Sequence, residues 1–199
     1  MPISASEVKK LRDMTGAGMM DCKKALTETQ GDIDKAIEFL RKKGIASAAK
    51  RSGREVNEGV IMSYIHPGNR LGVLVEVNCE TDFVAKTDDF QALAKDMAMQ
   101  IAASNPIAVN REDVPQELID KELDIFRTQA KNEGKPEAVI EKIIQGKIDK
   151  YYQEVVLMEQ NFVKNPDITI REYLMEVSGK LGENMSVRRF VRFQIGDEK

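Results

Sequence analysis

Few side chains in this sequence have the type and spacing that catalytic chemistry requires. His66 is the only histidine, and it alone could serve as an imidazole base near neutral pH. It precedes the turn residue Pro67 and has no evident catalytic partner, as is usual for a surface histidine at the end of a strand. Cys22 and Cys79 lie far apart and belong to no CxxC pair, so neither a disulfide framework nor a zinc site is expected. We assign no catalytic residue and no metal ligand.

Motifs for phosphate binding and acyl transfer are also missing from the sequence. It has neither a GxxxxGK[S/T] loop nor a GxSxG nucleophile elbow. Aspartates and glutamates are plentiful, but they are scattered at the spacing of a solvated helix surface rather than clustered as metal ligands. The net charge is −3 with both signs interspersed, which argues against a nucleic-acid binder. We therefore expect a binding protein without a cofactor, not an enzyme.

The first segment that asks for another explanation comprises residues 11–26, LRDMTGAGMMDCKKAL. Arg12, Met19 and Met20 border a glycine-containing loop, beside a core that other residues supply. Methionine is flexible and polarizable, so it suits adaptable contacts with another protein. The alternative is that one or both methionines complete the core, and spacing alone slightly favours that alternative.

The second such segment comprises residues 76–86, EVNCETDFVAK. It leaves a predicted strand and enters a predicted helix, so it lies at the rim of a sheet. Asp82 and Phe83 could project together from this strand end, where a carboxylate beside an aromatic ring could enter a partner and disturb a charged site. In the alternative, Thr81 or Asp82 is an ordinary helix N-cap and Phe83 lies in the core.

A small helical bundle must position the first segment. Residues 4–7 have the spacing of a capping box that starts a helix. A second helix spans about residues 19–29, and a third is expected to end at Gly44. Residues 1–50 are therefore predicted to form a three-helix bundle, followed by a polar, glycine-containing linker at residues 51–59.

An α+β core domain is predicted for residues 60–199. Apolar runs at residues 60–66 and 71–78 flank the turn-rich tetrapeptide PGNR and predict a β-hairpin. The run at residues 187–195 predicts a last strand that pairs with this hairpin. Amphipathic helices lie between them, one of them interrupted at Gly146. The expected fold is a small antiparallel three-stranded sheet covered by helices.

Both unusual segments resemble signature stretches of the elongation factor Ts family, in the same order and at the same place relative to the N-terminus. The likeness extends over the whole chain, including FVKNP at residues 162–166, and it is greatest to the short form of the family. It implies that the bundle has a ubiquitin-associated-like fold and docks on the nucleotide-binding domain of elongation factor Tu. The implied partner-binding residues are Arg12, Met19, Met20 and Lys23.

The resemblance also implies a guanine-nucleotide exchange function. The chain would bind Tu·GDP, displace Mg²⁺ from Tu and promote release of GDP, so that GTP can reload during translation elongation. The element that displaces Mg²⁺ is matched by Thr81, Asp82, Phe83 and Val84. Because the short form has one core lobe, two chains are expected to pair as a homodimer through the core domain. The edge strand at residues 187–195 is a candidate surface for this pairing.

Two rival functions belong to different classes. A three-helix bundle could belong to a ubiquitin-binding or scaffold protein, since such bundles bind many partners. A pulldown that retained ubiquitin and ignored Tu would favour that reading. A small enzyme of unrecognised type is the other rival, and it would need a polar pocket that the sequence does not reveal.

The chain starts with MPIS and lacks a basic region followed by an apolar stretch, so no signal peptide is expected. No apolar run approaches membrane-spanning length. The predicted compartment is the cytoplasm, with neither a membrane nor nucleic acid as a direct partner.

Overall fold

The fold combines helices with a small sheet. A computed structural model describes residues 3–134 and 136–197. The helices are α1 (Ala5–Thr15), α2 (Met19–Glu28), α3 (Ile33–Ala49), α4 (Asp82–Ala85), α5 (Asp88–Ser104), α6 (Gln116–Asn132), α7 (Glu137–Val155) and α8 (Ile170–Leu181). The strands are β1 (Glu58–Ile65), β2 (Leu71–Cys79), β3 (Asn161–Phe162), β4 (Asn165–Thr169) and β5 (Met185–Gln194). Strands β1, β2 and β5 form an antiparallel sheet in the order β1-β2-β5, which confirms the predicted α+β fold class.

The chain divides into two compact units, each built from separate stretches of sequence. The first unit comprises Met1–Val60, Val77–Leu93 and Glu172–Ser186. The second unit comprises Ile61–Glu76, Ala94–Arg171 and Val187–Lys199. The division into a bundle domain (1–50), a linker (51–59) and a core domain (60–199) stays a prediction.

The first unit contains the helical bundle α1–α3. At the start of α1, the Glu7 N–H donates to the Ser4 hydroxyl while the Glu7 carboxylate accepts from the Ser4 N–H at 2.8 Å. This reciprocal pairing satisfies amides that a helix start leaves free, and the hydrogen bonds from Ser4 lower the pKa of Glu7. The bundle core consists of Val8, Leu11, Cys22, Ala25, Leu26, Ala36 and Leu40. Each large aliphatic side chain buried there stabilises the bundle by about 1.5–3 kcal/mol.

The third helix does not end where the sequence predicted. α3 continues through Gly44 to Ala49, so the expected stop at Gly44 is wrong. Gly44 lies where α3 approaches α8: a Cβ on Gly179 would be 2.7 Å from the Cα of Gly44. An ion pair between Arg41 and Glu176 joins the same two helices. Gly44 therefore belongs to a close helix contact, in which the absence of a side chain on Gly179 lets the two backbones meet.

The predicted β-hairpin is present, and its part in the second unit shows the expected alternation. The His66 N–H donates to the Leu71 carbonyl at 2.9 Å, which closes the connection between β1 and β2. In β2, Val73 and Val75 are buried whereas Leu74 is exposed. Successive side chains of a strand point to opposite faces, so this pattern gives the sheet one buried and one exposed face.

Two long helices of the second unit pack on each other. α6 and α7 enclose a cluster of Ala130, Ile140 and Ile144. α7 runs without a break past Gly146, so the predicted interruption there is wrong. One glycine in a helix costs only about 1 kcal/mol, and the buried isoleucines of α7 offset that cost.

A buried amide joins α5 to a short β-ribbon that the sequence reading missed. Gln100 is fully buried, and its side-chain nitrogen donates to the side-chain oxygen of Gln160 and to the Asn161 carbonyl, both at 3.1 Å. Its oxygen accepts from the Val163 N–H at 2.9 Å. The ribbon pairs β3 with β4. Because a buried amide is stable only when its donors and acceptors are paired, Gln100 fixes the position of this ribbon within the second unit.

Candidate partner-binding site

The end of α1 and the start of α2 carry exposed methionines and exposed cations. Met14, Met19 and Met20 have exposed fractions of 56%, 45% and 73%. Arg12 and Lys23 are exposed beside them in sequence. The alternative in which Met19 or Met20 completes the bundle core is therefore wrong, because the core is filled from the other faces of the helices. We call these five residues the methionine surface.

A groove of about 380 Å³ opens next to the methionine surface, within the first unit. Met14 and Gly18 line it from the bundle, and Tyr173 lines it from α8. At its rim the Lys43 ammonium donates to the Asp21 carboxylate at 2.5 Å. This exposed pair connects α3 to the first turn of α2, the turn that carries Met19 and Met20.

The second segment forms a one-turn helix with an exposed aromatic ring. Thr81 is the N-cap of α4, and its hydroxyl accepts a hydrogen bond from the Val84 N–H at 3.4 Å. Phe83 is 79% exposed, so the alternative that places its ring in the core is wrong. Asp82 and Val84 are half-buried. The cap predicted for Thr81 and the projecting ring thus occur together. We call residues 81–84 the wedge.

A distant carboxylate holds the chain that leads into the wedge. Glu183 accepts hydrogen bonds from the N–H groups of Glu80 and Thr81, at 3.1 and 3.0 Å, through one oxygen. Its other oxygen accepts from the Thr81 hydroxyl at 2.6 Å. Sequence reasoning missed Glu183, because a glutamate just after a helix has no local feature that separates it from an ordinary surface residue.

The charges around the wedge are paired within the first unit. The Lys86 ammonium donates to the Asp82 carboxylate at 2.6 Å, one helical turn away, and this hydrogen bond lowers the pKa of Asp82. The Glu80 carboxylate accepts from the Asn184 N–H at 2.6 Å and pairs with Arg54, and these contacts lower the pKa of Glu80. Both carboxylates are therefore ionised at neutral pH.

Both cysteines are buried, whereas His66 is exposed. Cys79 is buried beside the wedge, and desolvation together with the charge of Glu183 raises its pKa to about 11, so it stays a thiol. Cys22 is buried in the bundle core. His66 is exposed, and its Nδ1 lies 3.1 Å from the Tyr64 hydroxyl. Within residues 3–134 and 136–197, no group of three or more His, Cys, Asp or Glu side chains could hold a metal ion.

Comparison with known proteins identifies the family. The sequence model described as Elongation factor TS matches residues 3–197. The chain belongs to the elongation factor Ts family. The elongation factor Ts of Carboxydothermus hydrogenoformans is 60% identical over 195 residues, which cover 98% of this chain and 90% of the relative. That of Geobacter sulfurreducens is 59% identical, covering 99% and 91%, and that of Moorella thermoacetica is 60% identical, covering 98% and 96%.

Membership of the elongation factor Ts family confirms the resemblance and makes this chain a factor of translation elongation. The relatives have nearly its length, as the coverage of nine-tenths or more of each shows. The roles of the methionine surface and the wedge stay predictions. Among the described helices, none combines the length and apolar character needed to cross a membrane.

Proposed function

We propose that this chain is a guanine-nucleotide exchange factor for elongation factor Tu. It binds Tu·GDP, displaces Mg²⁺ and promotes release of GDP, so that GTP can reload during translation elongation. The observation that carries the proposal is the 79% exposure of Phe83 on a helix anchored at both ends. An aromatic ring held in water forgoes the free energy of burial, so its exposure at a fixed position supports contact with a partner.

In this proposal the methionine surface docks on the nucleotide-binding domain of Tu. Methionine side chains adapt to the shape of a partner, and exposed apolar groups gain free energy when an interface covers them. Arg12 and Lys23 add cations at its border, where charges chiefly steer association and fix orientation. This contact supplies affinity and places the wedge at the partner.

The wedge then acts on the nucleotide site of Tu. Mg²⁺ offsets much of the diphosphate charge in a nucleotide-binding protein of this type, so moving its ligands weakens the hold on GDP. Phe83 enters between elements of Tu, while Asp82 brings a negative charge that perturbs hydrogen bonds near the ion. Burying the Phe83 ring in the partner yields about 1.5–3 kcal/mol, equivalent to about a ten- to hundredfold change in nucleotide affinity.

This mechanism needs neither a bond-making step nor a cofactor in the exchange factor, and we therefore propose that the chain is not an enzyme. Thermodynamic linkage adds a constraint. If the factor weakens GDP binding to Tu, GDP weakens binding of the factor by the same ratio. Fresh nucleotide consequently releases the factor, which then acts on another Tu molecule.

We further propose that two chains pair through the core domain, with β5 at the sheet edge. The second unit presents exposed apolar side chains on this sheet and directly after β5: Ile65, Leu74, Phe193 and Ile195. An apolar patch beside the edge strand of a sheet favours association with a second copy. Light scattering on an eluting size-exclusion peak at micromolar concentration should give the mass of a dimer, and a monomer there would end this part of the proposal.

We place the factor in the cytoplasm, without direct contact to nucleic acid or membrane.

The decisive experiment follows release of a fluorescent GDP analogue from Tu. The wild-type chain should accelerate release strongly. The double variant Asp82→Ala with Phe83→Ala should slow release at saturating factor by about tenfold or more, from the lost burial of the ring. Circular dichroism checks that the fold is retained.

A matched control removes an aspartate and an apolar neighbour elsewhere. Asp124 and Ile125 are exposed on α6, in the second unit. With the double variant Asp124→Ala and Ile125→Ala, the analogue should leave Tu at the same rate as with the wild-type chain. If the double variant Asp82→Ala with Phe83→Ala also accelerates GDP release from Tu as the wild type does, the wedge is not the acting element. If the wild-type chain leaves GDP release unchanged, the exchange function itself is refuted.

A further inference from the structure

The wedge is too short to set its own direction. α4 has 4 residues, and isolated helices shorter than about 12–15 residues are marginal in water. Contacts at its two ends must therefore orient it. At the C-terminal end, the Gln91 side chain donates to the Ala85 carbonyl at 2.7 Å and the Thr87 hydroxyl donates to the Val84 carbonyl at 2.8 Å. These contacts come from neighbouring residues of the chain.

The anchor at the N-terminal end comes from a remote part of the chain. One Glu183 oxygen accepts from two successive N–H groups, those of Glu80 and Thr81, and the other accepts from the Thr81 hydroxyl at 2.6 Å. Hydrogen bonds to a carboxylate are shorter and stronger than those between neutral groups. All three donors belong to the two residues before Asp82, so they fix the backbone direction at the point where the wedge begins.

Glu183 is itself held in place by its surroundings. It follows Gly182, whose φ of +80° turns the chain sharply after α8. The buried Ser178 hydroxyl donates to the Glu183 carbonyl at 2.5 Å. The next residue, Asn184, donates its N–H to the Glu80 carboxylate at 2.6 Å. Residues 80–81 and residues 183–184 thus donate hydrogen bonds to each other. The Glu183 carboxylate is therefore pre-organised to accept from the residues that precede the wedge.

We propose that Glu183 is a positioning residue for nucleotide exchange, one that sets the direction in which Phe83 leaves the first unit. The inference rests on the proposed function, in which Phe83 enters Tu. Glu183 touches neither Tu nor nucleotide in this scheme. It acts only through the wedge, because a ring that samples many directions loses conformational freedom on entering the partner and therefore enters more slowly.

The test compares Glu183→Ala, Glu183→Gln, Phe83→Ala and the double variant Phe83→Ala with Glu183→Ala in the fluorescent GDP assay. Glu183→Ala should lower the release rate at saturating factor about tenfold, with a smaller change in the half-saturating concentration. Glu183→Gln should restore most of the rate, because its amide oxygen accepts from both N–H groups and its amide nitrogen donates to the Thr81 hydroxyl. Glu117→Ala, at an exposed position of α6, is the control for removing a carboxylate.

The double variant separates positioning from general damage to the fold. If Glu183 acts through the wedge, Phe83→Ala with Glu183→Ala should be no slower than Phe83→Ala alone. The proposal would be overturned if the two substitutions slowed GDP release additively in the double variant. It would also be overturned if a folded Glu183→Ala variant accelerated GDP release from Tu as much as the wild-type chain. A wild-type rate for Phe83→Ala would instead remove the wedge as the acting element, and a wild-type chain that leaves GDP release unchanged would remove the proposed function.

Hydrogen exchange on the free protein gives a readout that does not depend on Tu. In Glu183→Ala, the Glu80 and Thr81 amides should exchange faster while the α5 amides stay protected. Thr81→Val removes the hydroxyl that donates to Glu183 and also accepts from the Val84 N–H as the cap of α4, but it leaves both N–H groups that donate to Glu183. This variant serves if Glu183→Ala fails to fold, and it should show a smaller change in the same direction. Unchanged exchange at both amides in either folded variant would contradict the anchor.

Discussion

Replacing Gly179 with alanine tests the close approach of α3 and α8 within the first unit. The new Cβ would lie 2.7 Å from the Cα of Gly44 and 2.8 Å from its carbonyl carbon and oxygen. These are backbone atoms, so they cannot rotate out of the way. Overpacking of this kind costs about 1–3 kcal/mol, whereas alanine inside a helix gains about 0.5–1 kcal/mol over glycine. The expected result is a net loss of about 1 kcal/mol in the free energy of unfolding.

The same substitution at two other helical glycines provides matched controls. A Cβ on Gly44 would be 3.7 Å from the Cα of Gly179, which is an ordinary contact, and a Cβ on Gly146 would meet nothing within 4 Å. Both positions lie inside helices, in α3 and α7. Gly44→Ala and Gly146→Ala should therefore raise the free energy of unfolding by about 0.5–1 kcal/mol each.

Urea denaturation followed by circular dichroism measures all three variants. With unchanged slopes, the midpoint of Gly179→Ala should fall below that of the wild type, and both control midpoints should rise above it. A Gly179→Ala protein as stable as Gly146→Ala would refute the reasoning, since it would mean that the two backbones are not held in contact.

Three further predictions concern single side chains. Gln100→Leu should lower the free energy of unfolding by about 2 kcal/mol or more, because it leaves buried partners of the amide unpaired; an unchanged urea midpoint would contradict this. Cys79, with its pKa raised to about 11, should be about one-thousandth thiolate at pH 8. Its alkylation by iodoacetamide, followed by mass spectrometry, should be far slower in the folded than in the urea-unfolded chain, and equal rates would argue against burial. Lys86→Ala should raise the pKa of Asp82, which an NMR titration of the carboxyl carbon measures. Because folding lowers this pKa, the pair stabilises the fold above the ordinary carboxyl pKa, and that contribution is lost as the pH falls through the folded-state pKa.

Local sequence signals predicted much of the fold because their causes are local. The turn-rich tetrapeptide after His66 connects two strands as expected, since turn residues and alternating apolar residues act over a few positions. Glycine positions predicted the ends of helices less well. At Gly44 and Gly146 it indicated helix breaks that do not occur. A glycine penalty of about 1 kcal/mol is small beside the packing of a whole helix face, and the packing partner of Gly44 is 135 positions away at Gly179.

The residues of the candidate site could be predicted from the sequence, but the contacts that hold the wedge in place could not. The residue types of Met20 and Phe83 suggested protein contacts, and both side chains are exposed. Spacing alone could not establish this, because it slightly favoured a place in the core for the methionines and also allowed one for Phe83. The anchor at Glu183 lies 102 residues from Thr81, and no periodicity or local motif connects residues so distant in sequence.

The discontinuous make-up of the first unit has a consequence for biosynthesis. The bundle lies in the first stretch of the chain, and its own core can form while later residues are still being translated. Its contact with α8, and the Glu183 anchor of the wedge, must wait until Glu172–Ser186 has left the ribosome. A nascent chain stalled before that stretch would carry a folded bundle with the Gly44 face of α3 still bare, a candidate surface for chaperones to recognise.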